Sequence, residues 1–311
     1  MASLDRMIGA APAMVRLRGL IRQVAPSRLP ILVQGPTGAG KELVAEALHE
    51  LSGRTGRCVA FNVSAISPGM FEDALFGHVK GAFTGASSAR AGYLREAHGG
   101  TMFLDEIDSL AVSFQAKLLR VLETGCFRPV GADRMARSDF RLVAATSKPL
   151  ERLVAAGEFR DDLYHRIRGL VLRVPALRER IGDLPLLVDH YARKRPPYSF
   201  SPGAVALLRS HHWPGNIREL RNVIEASITL SEHPLVGAET VETVLGARAV
   251  RPRAVDRERR ELEALLLECD GDTALVAERR DVHRATVYRW IHRFGIPLPS
   301  KDGAGSAAHG P

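Results

Sequence analysis

The sequence predicts an α/β domain with a parallel sheet flanked by helices, then a small helical subdomain, then an all-α helix-turn-helix. Three observations predict it. The first is the stretch PILVQGPTGAGKE at 30–42: an apolar run that reads as a buried strand, then a G-x-x-x-x-G-K spacing. Such a turn wraps phosphates with backbone N–H groups just before a helix begins, here at Lys41. The second is GGTMFLDEI at 99–107, a buried strand whose carboxyl end delivers Asp105 and Glu106, the edge of a parallel sheet where ligands bind. The third is the loss of strand patterning after about Gly182, with two short helices near the end separated by Asp281, Val282 and His283.

Composition bounds the rest. A chain of 311 residues has room for two or three domains, and 45% hydrophobic with 25% charged residues reads as globular. A formal charge of +8 and a sequence pI near 9.8 make a polyanion a plausible partner. Cys58, Cys126 and Cys269 are scattered without metal or redox spacing, as in a reducing compartment. No apolar run approaches the roughly 18 residues of a membrane span, and the start MASLDRM lacks a signal-peptide core. The expectation is a cytoplasmic protein.

Residues 1–28 carry Met14, Leu17, Leu20 and Ile21 at helical spacing. This lead-in is too short for a sensory domain, so control is expected from another polypeptide or from supply of the protein itself. The phosphate loop comprises Gly35, Pro36, Thr37, Gly38, Ala39, Gly40, Lys41 and Glu42; a Ser or Thr for Mg²⁺ is usual where Glu42 stands. A helix over 42–51 follows, with Leu43, Val44, Ala47 and Leu48 inward. CVAFNV at 58–63 reads as a strand with Asn62 near its end, and Ser67-Pro68 starts a helix reaching about Phe76.

GHVKGAFTGASSAR at 77–90 is too rich in glycine and small residues for a regular element. Two readings stand: a surface loop with Phe83 tucked against the core, or a mobile loop presenting Phe83 and Thr84 to a macromolecule. After the acidic strand end, where Asp105 is placed to hold Mg²⁺ and Glu106 to polarise the attacking water, a helix over 113–123 turns Leu118, Leu119 and Leu122 inward. FRLVAAT at 140–146 is a further buried strand. Its Thr146 and the following Ser147 would lie beside a γ-phosphate if that strand neighbours the acidic one; otherwise they only begin a turn. Arg160 and Arg166, six positions apart on an expected helix, point to different faces. They are either solvated or reach into a neighbouring subunit's site.

In the helical part, Ser201-Pro202 starts one helix and Ile217 to Leu230 forms the next, with Arg218 in its first turn facing the nucleotide lobe. The domains are expected at 1–184 (α/β), 185–235 (helical lid), 236–257 (linker with one short helix) and 258–298 (helix-turn-helix), with a disordered tail at 299–311. The last unit is amphipathic on Leu262, Leu265, Leu266 and Leu267, and Ala274, Ala277, Val282, Val287 and Trp290 make its small core. Its second helix offers Arg284, Thr286, Tyr288, Arg289 and Arg293 to a major groove; a basic three-helix bundle packed on protein is the other reading.

Taken together, GAFTGA at 81–86, GGTMFLDEI, FRDDLYHR at 159–166 and WPGNIREL at 213–220 resemble the bacterial enhancer-binding activators of sigma-54 RNA polymerase, a branch of the AAA+ ATPases. The resemblance covers roughly residues 7–296 and accounts for Glu42, since that family's phosphate loop ends GKE. It implies ATP and Mg²⁺ as ligands: Lys41 on the β and γ phosphates, Asp105 on magnesium, Glu106 on the water, and Asn62 holding Glu106 inactive. Arg160 and Arg166 would be fingers acting on the neighbour's nucleotide, and Arg218 the lid's sensor. Gly81, Ala82, Phe83, Thr84, Gly85 and Ala86 would contact sigma-54. A ring, commonly a hexamer built from dimers, would bind enhancer DNA through the Fis-type helix-turn-helix. Pro36 and Ser147 depart from the family's usual Glu and Asn. The lack of a receiver domain places control with a separate regulatory protein or with expression. The competing reading is a DNA-binding regulator that uses the ATPase fold as a nucleotide-dependent oligomerisation switch.

Overall fold

The computed structural model describes residues 3–247, 254–269, 271–280, 282–294 and 296. It divides into two compact units, Met1–Val244 and Leu245–Pro311, each taken by itself. The segment 248–253 and the tail expected at 299–311 lie outside the described residues.

The first unit begins with α1 (Pro12–Val24), β1 (Ile31–Gln34), α2 (Lys41–Glu50), β2 (Cys58–Asn62), α3 (Pro68–Phe76), α4 (Tyr93–Glu96) and β3 (Thr101–Asp105). There follow α5 (Val112–Thr124), the antiparallel pair β4 (Cys126–Phe127) and β5 (Ala136–Arg137), β6 (Arg141–Thr146), α6 (Leu150–Ala155), α7 (Asp161–Ile167) and β7 (Leu170–Arg173). Among the described residues one sheet has five strands in the order β2-β3-β6-β1-β7, all parallel. The acidic strand therefore neighbours β6, which in turn neighbours the strand leading into the phosphate loop.

Strand alternation divides the core into two layers. Leu32, Phe61, Met102, Leu104, Leu142 and Ala144 face one layer together with Phe71 and Leu75 of α3, Leu118 of α5 and Leu163 of α7. Ile31, Val33, Phe103, Val143, Ala145 and Leu172 face the other, against Met14, Leu17 and Ile21 of α1 and Val44 and Leu48 of α2. Leu20, expected inward, is exposed; the α1 stripe is narrower than the sequence spacing implied. Buried Arg141 donates Nη2–H to Val24 O (2.9 Å) and Nη1–H to Ala25 O, satisfying carbonyls at the end of α1.

The helical part of this unit comprises α8 (Leu184–Ala192), β8 (Ser199–Phe200), α9 (Pro202–Ser210), α10 (Asn216–Leu230), β9 (Leu235–Val236) and α11 (Ala238–Ala247). Ser201 caps α9 by accepting from Ala204 N–H (3.2 Å), and Pro202 stands in the first turn. Trp213 is buried and donates its indole N–H to Leu208 O (2.8 Å). The short helix expected within 236–257 is α11, and its Val241 is fully buried.

The second unit holds α12 (Ala254–Glu268), α13 (Thr273–Arg279) and α14 (Arg284–Phe294). Its core is Leu262, Leu266, Cys269, Val276, Ala277, Val287, Ile291 and Ile296, with Val282 and Trp290 packed against it. Two expectations fail here. Ala274 is exposed and Val276 takes the inward place, because α13 starts at an Asp272 cap that turns residues 276 and 277 to the core. Leu267 is 84% exposed, lying one position, or about 100° of helix, beyond Leu266. Among the described residues no helix is long and apolar enough to cross a membrane.

Candidate nucleotide site

The loop between β1 and α2 has the geometry its spacing predicts. Gly38 (φ 77°) and Gly40 (φ 105°) take left-handed conformations open to glycine at little cost. No side chain caps α2, so the N–H groups of its first turn are left for an anion. Lys41 is buried and folds its ammonium back onto the loop, donating to Gly35 O (2.9 Å) and Pro36 O (3.3 Å). Burial pulls the Lys41 pKa below the usual lysine value, opposed by the nearby carboxylates of Asp105, Asp108 and Glu106. An uncapped helix start, permissive glycines and a caged cation fit a polyphosphate.

Register carries Asn62 opposite Asp105 across β2 and β3. Burial pushes the Asp105 carboxyl above the usual range, opposed by the hydrogen bond from Glu106 N–H (2.9 Å) and by Lys41. A desolvated carboxylate facing a caged ammonium is a suitable single protein ligand for Mg²⁺, which keeps most of its shell as water and phosphate oxygen. No cluster of three or more His, Cys, Asp or Glu able to hold a metal occurs among the described residues.

Glu106 is held differently from the expectation. Asn62 Oδ1 accepts from Ser64 N–H (2.9 Å) and Ala65 N–H (3.2 Å), and the direct partner of Glu106 Oε2 is the hydroxyl of Ser64. The Asn62 side chain is committed to the turn that follows its own strand and meets the glutamate only through Ser64. Thr146 stands beside the acidic strand, β6 being the neighbour of β3, and its buried hydroxyl donates to Asp108 Oδ1 (2.8 Å) and accepts from Lys148 N–H (3.1 Å). Exposed Ser147, with Lys148 and Arg173, lines a cleft of about 520 Å³ beside Gly35 and Pro36.

The backbone N–H of Arg218 donates to Gly38 O of the phosphate loop (3.2 Å). Asn216, which sequence reasoning passed over, does more. Its Nδ2–H donates to Thr37 O (3.0 Å), and its Oδ1 accepts from Leu177 N–H (2.9 Å). A Cβ at Gly38 would fall 2.3 Å from Gly215 O, so the approach of α10 itself demands glycine there. Buried Arg180 reaches Ile8 O (3.2 Å) and Ala39 O (3.4 Å), while Asp183 Oδ1 accepts from Ala10 and Ala11 N–H (2.7 and 2.8 Å). These contacts shape a small cleft of about 40 Å³ walled by Ile8, Leu43, Val174, Tyr191 and Ile217, with Arg6 and Arg180 in its lining. The signal for it was present only as isolated aliphatic residues far apart in sequence.

Arg160 and Arg166 do not share a helix face. Arg160 precedes α7 with extended backbone, and its exposed guanidinium pairs with Asp162 (3.0 and 2.7 Å). Asp161 and Asp162 favour the helix start there, leaving Arg160 outside it. Arg166 lies inside α7 and donates to Leu122 O (2.7 Å). In the 81–86 loop, Gly81 N–H donates to Ala86 O (2.8 Å) and Ala86 N–H to Phe83 O (3.0 Å), with Ala86 buried. Phe83 is 47% exposed, its ring edge-on to His78 at 5.1 Å. Gly85 and Thr84 are exposed beside it, and Ala82 packs under Gly131.

In the second unit Arg284 donates to Thr273 Oγ1 (3.0 Å) and lies over the Tyr288 ring (5.7 Å), and Arg289 donates to Thr286 Oγ1 (3.1 Å). Arg284, Tyr288 and Arg289 are exposed on α14. Arg293 is within α14, but its side chain lies outside the described residues.

A family model for the sigma-54 interaction domain matches residues 7–173, and one for the AAA+ ATPase lid domain matches 178–257. The Nif-specific regulatory protein of Herbaspirillum seropedicae is 45% identical over 240 residues, which are 75% of this chain and 44% of that protein. The transcriptional regulatory protein ZraR of Salmonella typhimurium is 38% identical over 301 residues, 92% of this chain and 68% of that protein. This chain thus spans less than half the length of the first relative and about two thirds of the second. The crystal structure of NtrX from Brucella abortus in complex with ATP superposes with a TM-score of 0.71 at 35% identity, covering 93% of this chain and 69% of that one. A phosphate loop, an acidic neighbour strand and a lid pinned to the loop, together with these matches, place this chain in the family of sigma-54-interacting AAA+ ATPases.

Proposed function

We propose that this chain is an ATP-driven transcriptional activator: it binds enhancer DNA, hydrolyses ATP, and uses the energy to remodel sigma-54 RNA polymerase until the promoter opens. The observation that carries the reading is one chain with Lys41, Asp105 and Glu106 converging on a phosphate loop and a Phe83-tipped loop closed on itself. Lys41 holds the β and γ phosphates, Asp105 takes Mg²⁺, and Glu106 orients the attacking water and accepts its proton. Bound Mg²⁺ would supply neutralisation of charge on the phosphate oxygens. Gly35 to Glu42 wrap the phosphates by backbone N–H groups, Ser147 lies toward the γ-phosphate, and Arg218 with Asn216 reports occupancy to the lid.

Arg160 and Arg166 are exposed, and on release from Asp162 and from Leu122 O their guanidinium groups would serve a neighbour's nucleotide in a ring, a hexamer assembled from dimers. Residues Arg284, Thr286, Tyr288, Arg289 and Arg293 of α14 read the enhancer. The free cysteines Cys58, Cys126 and Cys269 suit the cytoplasm, where ATP and polymerase reside, and a separate regulatory protein licenses the activator. The test is reconstituted promoter opening with sigma-54 polymerase and ATP. Thr84→Ala should abolish opening while leaving most ATP hydrolysis; loss of neither rejects the reading.

A further inference from the structure

The tip of the 81–86 loop has little to stiffen it. Gly81 (φ 81°) and Gly85 (φ 101°) take left-handed backbone, and a Cβ at either would meet nothing within 4 Å. Glycine in open space leaves the chain free to bend, and a push sent through such a loop is lost unless its two stems are tied. The backbone supplies one tie, since His78 and Arg90 exchange N–H···O bonds of 3.0 Å in both directions. The imidazole of His78 supplies another. That side chain is 10% exposed; Nδ1 bonds Asp73 Oδ1 on α3, and Nε2 bonds Ser88 O on the returning stem (2.8 Å). Both oxygens only accept, so each bond takes an N–H from the ring. Arg90 Nη1 stands 3.5 Å from the other oxygen of Asp73, and the Phe83 ring rests edge-on against His78. Phe71 of α3 in turn packs edge-on against Phe61 of β2 at 5.5 Å, which seats the helix on the strand ending at Asn62.

We propose that His78 is a positioning residue: it braces both stems of the 81–86 loop against α3 and sets where the Phe83 ring stands, so that loop and helix move as one piece. Without the imidazole, the returning stem keeps its backbone pair with residue 78 and the half-exposed contact of Arg90 with Asp73, and Phe83 loses the surface its edge rests on. The proposal rests on the activator reading above and adds the side chain that makes the loop stiff enough to act on a partner. His78 takes no part in the nucleotide contacts, so ATP turnover does not depend on it.

The test compares wild type, His78→Ala, His78→Asn and His78→Gln for promoter opening with sigma-54 polymerase, steady-state ATP hydrolysis, and amide hydrogen exchange. The Asn amide stands in for Nδ1 and the Gln amide for Nε2, so each keeps one of the two donations. His78→Ala should slow opening about tenfold, the order expected for losing a hydrogen bond to a charged partner, with kcat and KM for ATP within about twofold of wild type. Exchange should quicken across 77–90 and stay unchanged across 99–107. His78→Asn and His78→Gln should each recover part of the opening. Opening or exchange at the wild-type rate in His78→Ala, or amide variants no better than alanine, overturns the brace and leaves the activator reading intact. A matching fall in ATP hydrolysis assigns His78 to general packing and overturns the brace as well. Wild type that hydrolyses ATP but opens no sigma-54 promoter overturns the activator reading and this proposal with it.

Discussion

Replacing Asn216 by Ala should be the most informative single change at the joint between lid and phosphate loop. Asn216 is 3% exposed and sits at φ 54°, a conformation Asn tolerates better than Ala by virtue of its short polar side chain. Removing its amide strips Leu177 N–H of its acceptor, and Leu177 is fully buried; an unsatisfied buried donor costs about 1–3 kcal/mol. Thr37 is exposed, so its carbonyl regains water and adds little. Left-handed backbone on Ala adds about 1–2 kcal/mol, giving a loss of about 3 kcal/mol in all. Asn216→Gly loses the same hydrogen bonds without that strain and should be about 1 kcal/mol less damaging. Trp213, buried beside this joint, reports the unfolding of this unit by fluorescence once Trp290 is replaced by Phe. Denaturant midpoints for Asn216→Ala, Asn216→Gly and the parent then give the two differences directly. A parent-like midpoint for Asn216→Ala, or one equal to that of Asn216→Gly, would refute the argument.

Other expectations can be checked alongside. Burial raises the Asp105 pKa and lowers that of Lys41, and the reaction needs Asp105 ionised and Lys41 charged. The rate should therefore fall as pH drops through a value above the ordinary aspartate figure of about 3.9, and fall again as pH rises through one below the ordinary lysine figure of about 10.4; a kcat/KM profile with limbs at the ordinary values refutes this. Because the folded Asp105 pKa is raised, protonation favours the fold and ionisation at neutral pH costs it. Asp105→Asn should then abolish hydrolysis without lowering the neutral-pH unfolding midpoint, and a clear drop in that midpoint would contradict the cause assigned to the shift. Arg289→Ala should weaken binding to the cognate enhancer by about 1–3 kcal/mol if Arg289 meets a base edge, and a binding isotherm indistinguishable from wild type rejects that contact.

How far the sequence spoke depended on the range of the interaction. Spacing of Gly35, Gly38, Gly40 and Lys41 gave the loop, and apolar runs gave β1, β3 and β6, because strand alternation and turn chemistry are written in neighbouring residues. Contacts made across the chain left no such mark. Asn216 with Thr37 spans 179 positions, Asp183 with Ala10 spans 173, and Ser64 with Glu106 spans 42. A serine two places beyond Asn62, or an asparagine after a glycine, is locally unremarkable and gains its meaning only from the fold. For Thr146 the strand adjacency was foreseen, but its hydrogen bond to Asp108, two positions past Glu106, was not. Ala274 and Leu267 failed at the helix-phase level, where one residue of offset turns a side chain through about 100°.

The carbonyls that Thr37 and Gly38 lend to Asn216 and Arg218 make the start of α10 a fulcrum. The helix runs 15 residues, an arm of about 22 Å at 1.5 Å per residue. A tilt of about 5° at the pivot would sweep its far end through about 2 Å by that geometry. A rotation of α10 about that pivot would displace its far end in proportion to both the angle and the length of the helix, so a small settling of the loop around a phosphate would be larger at the far end than at the pivot.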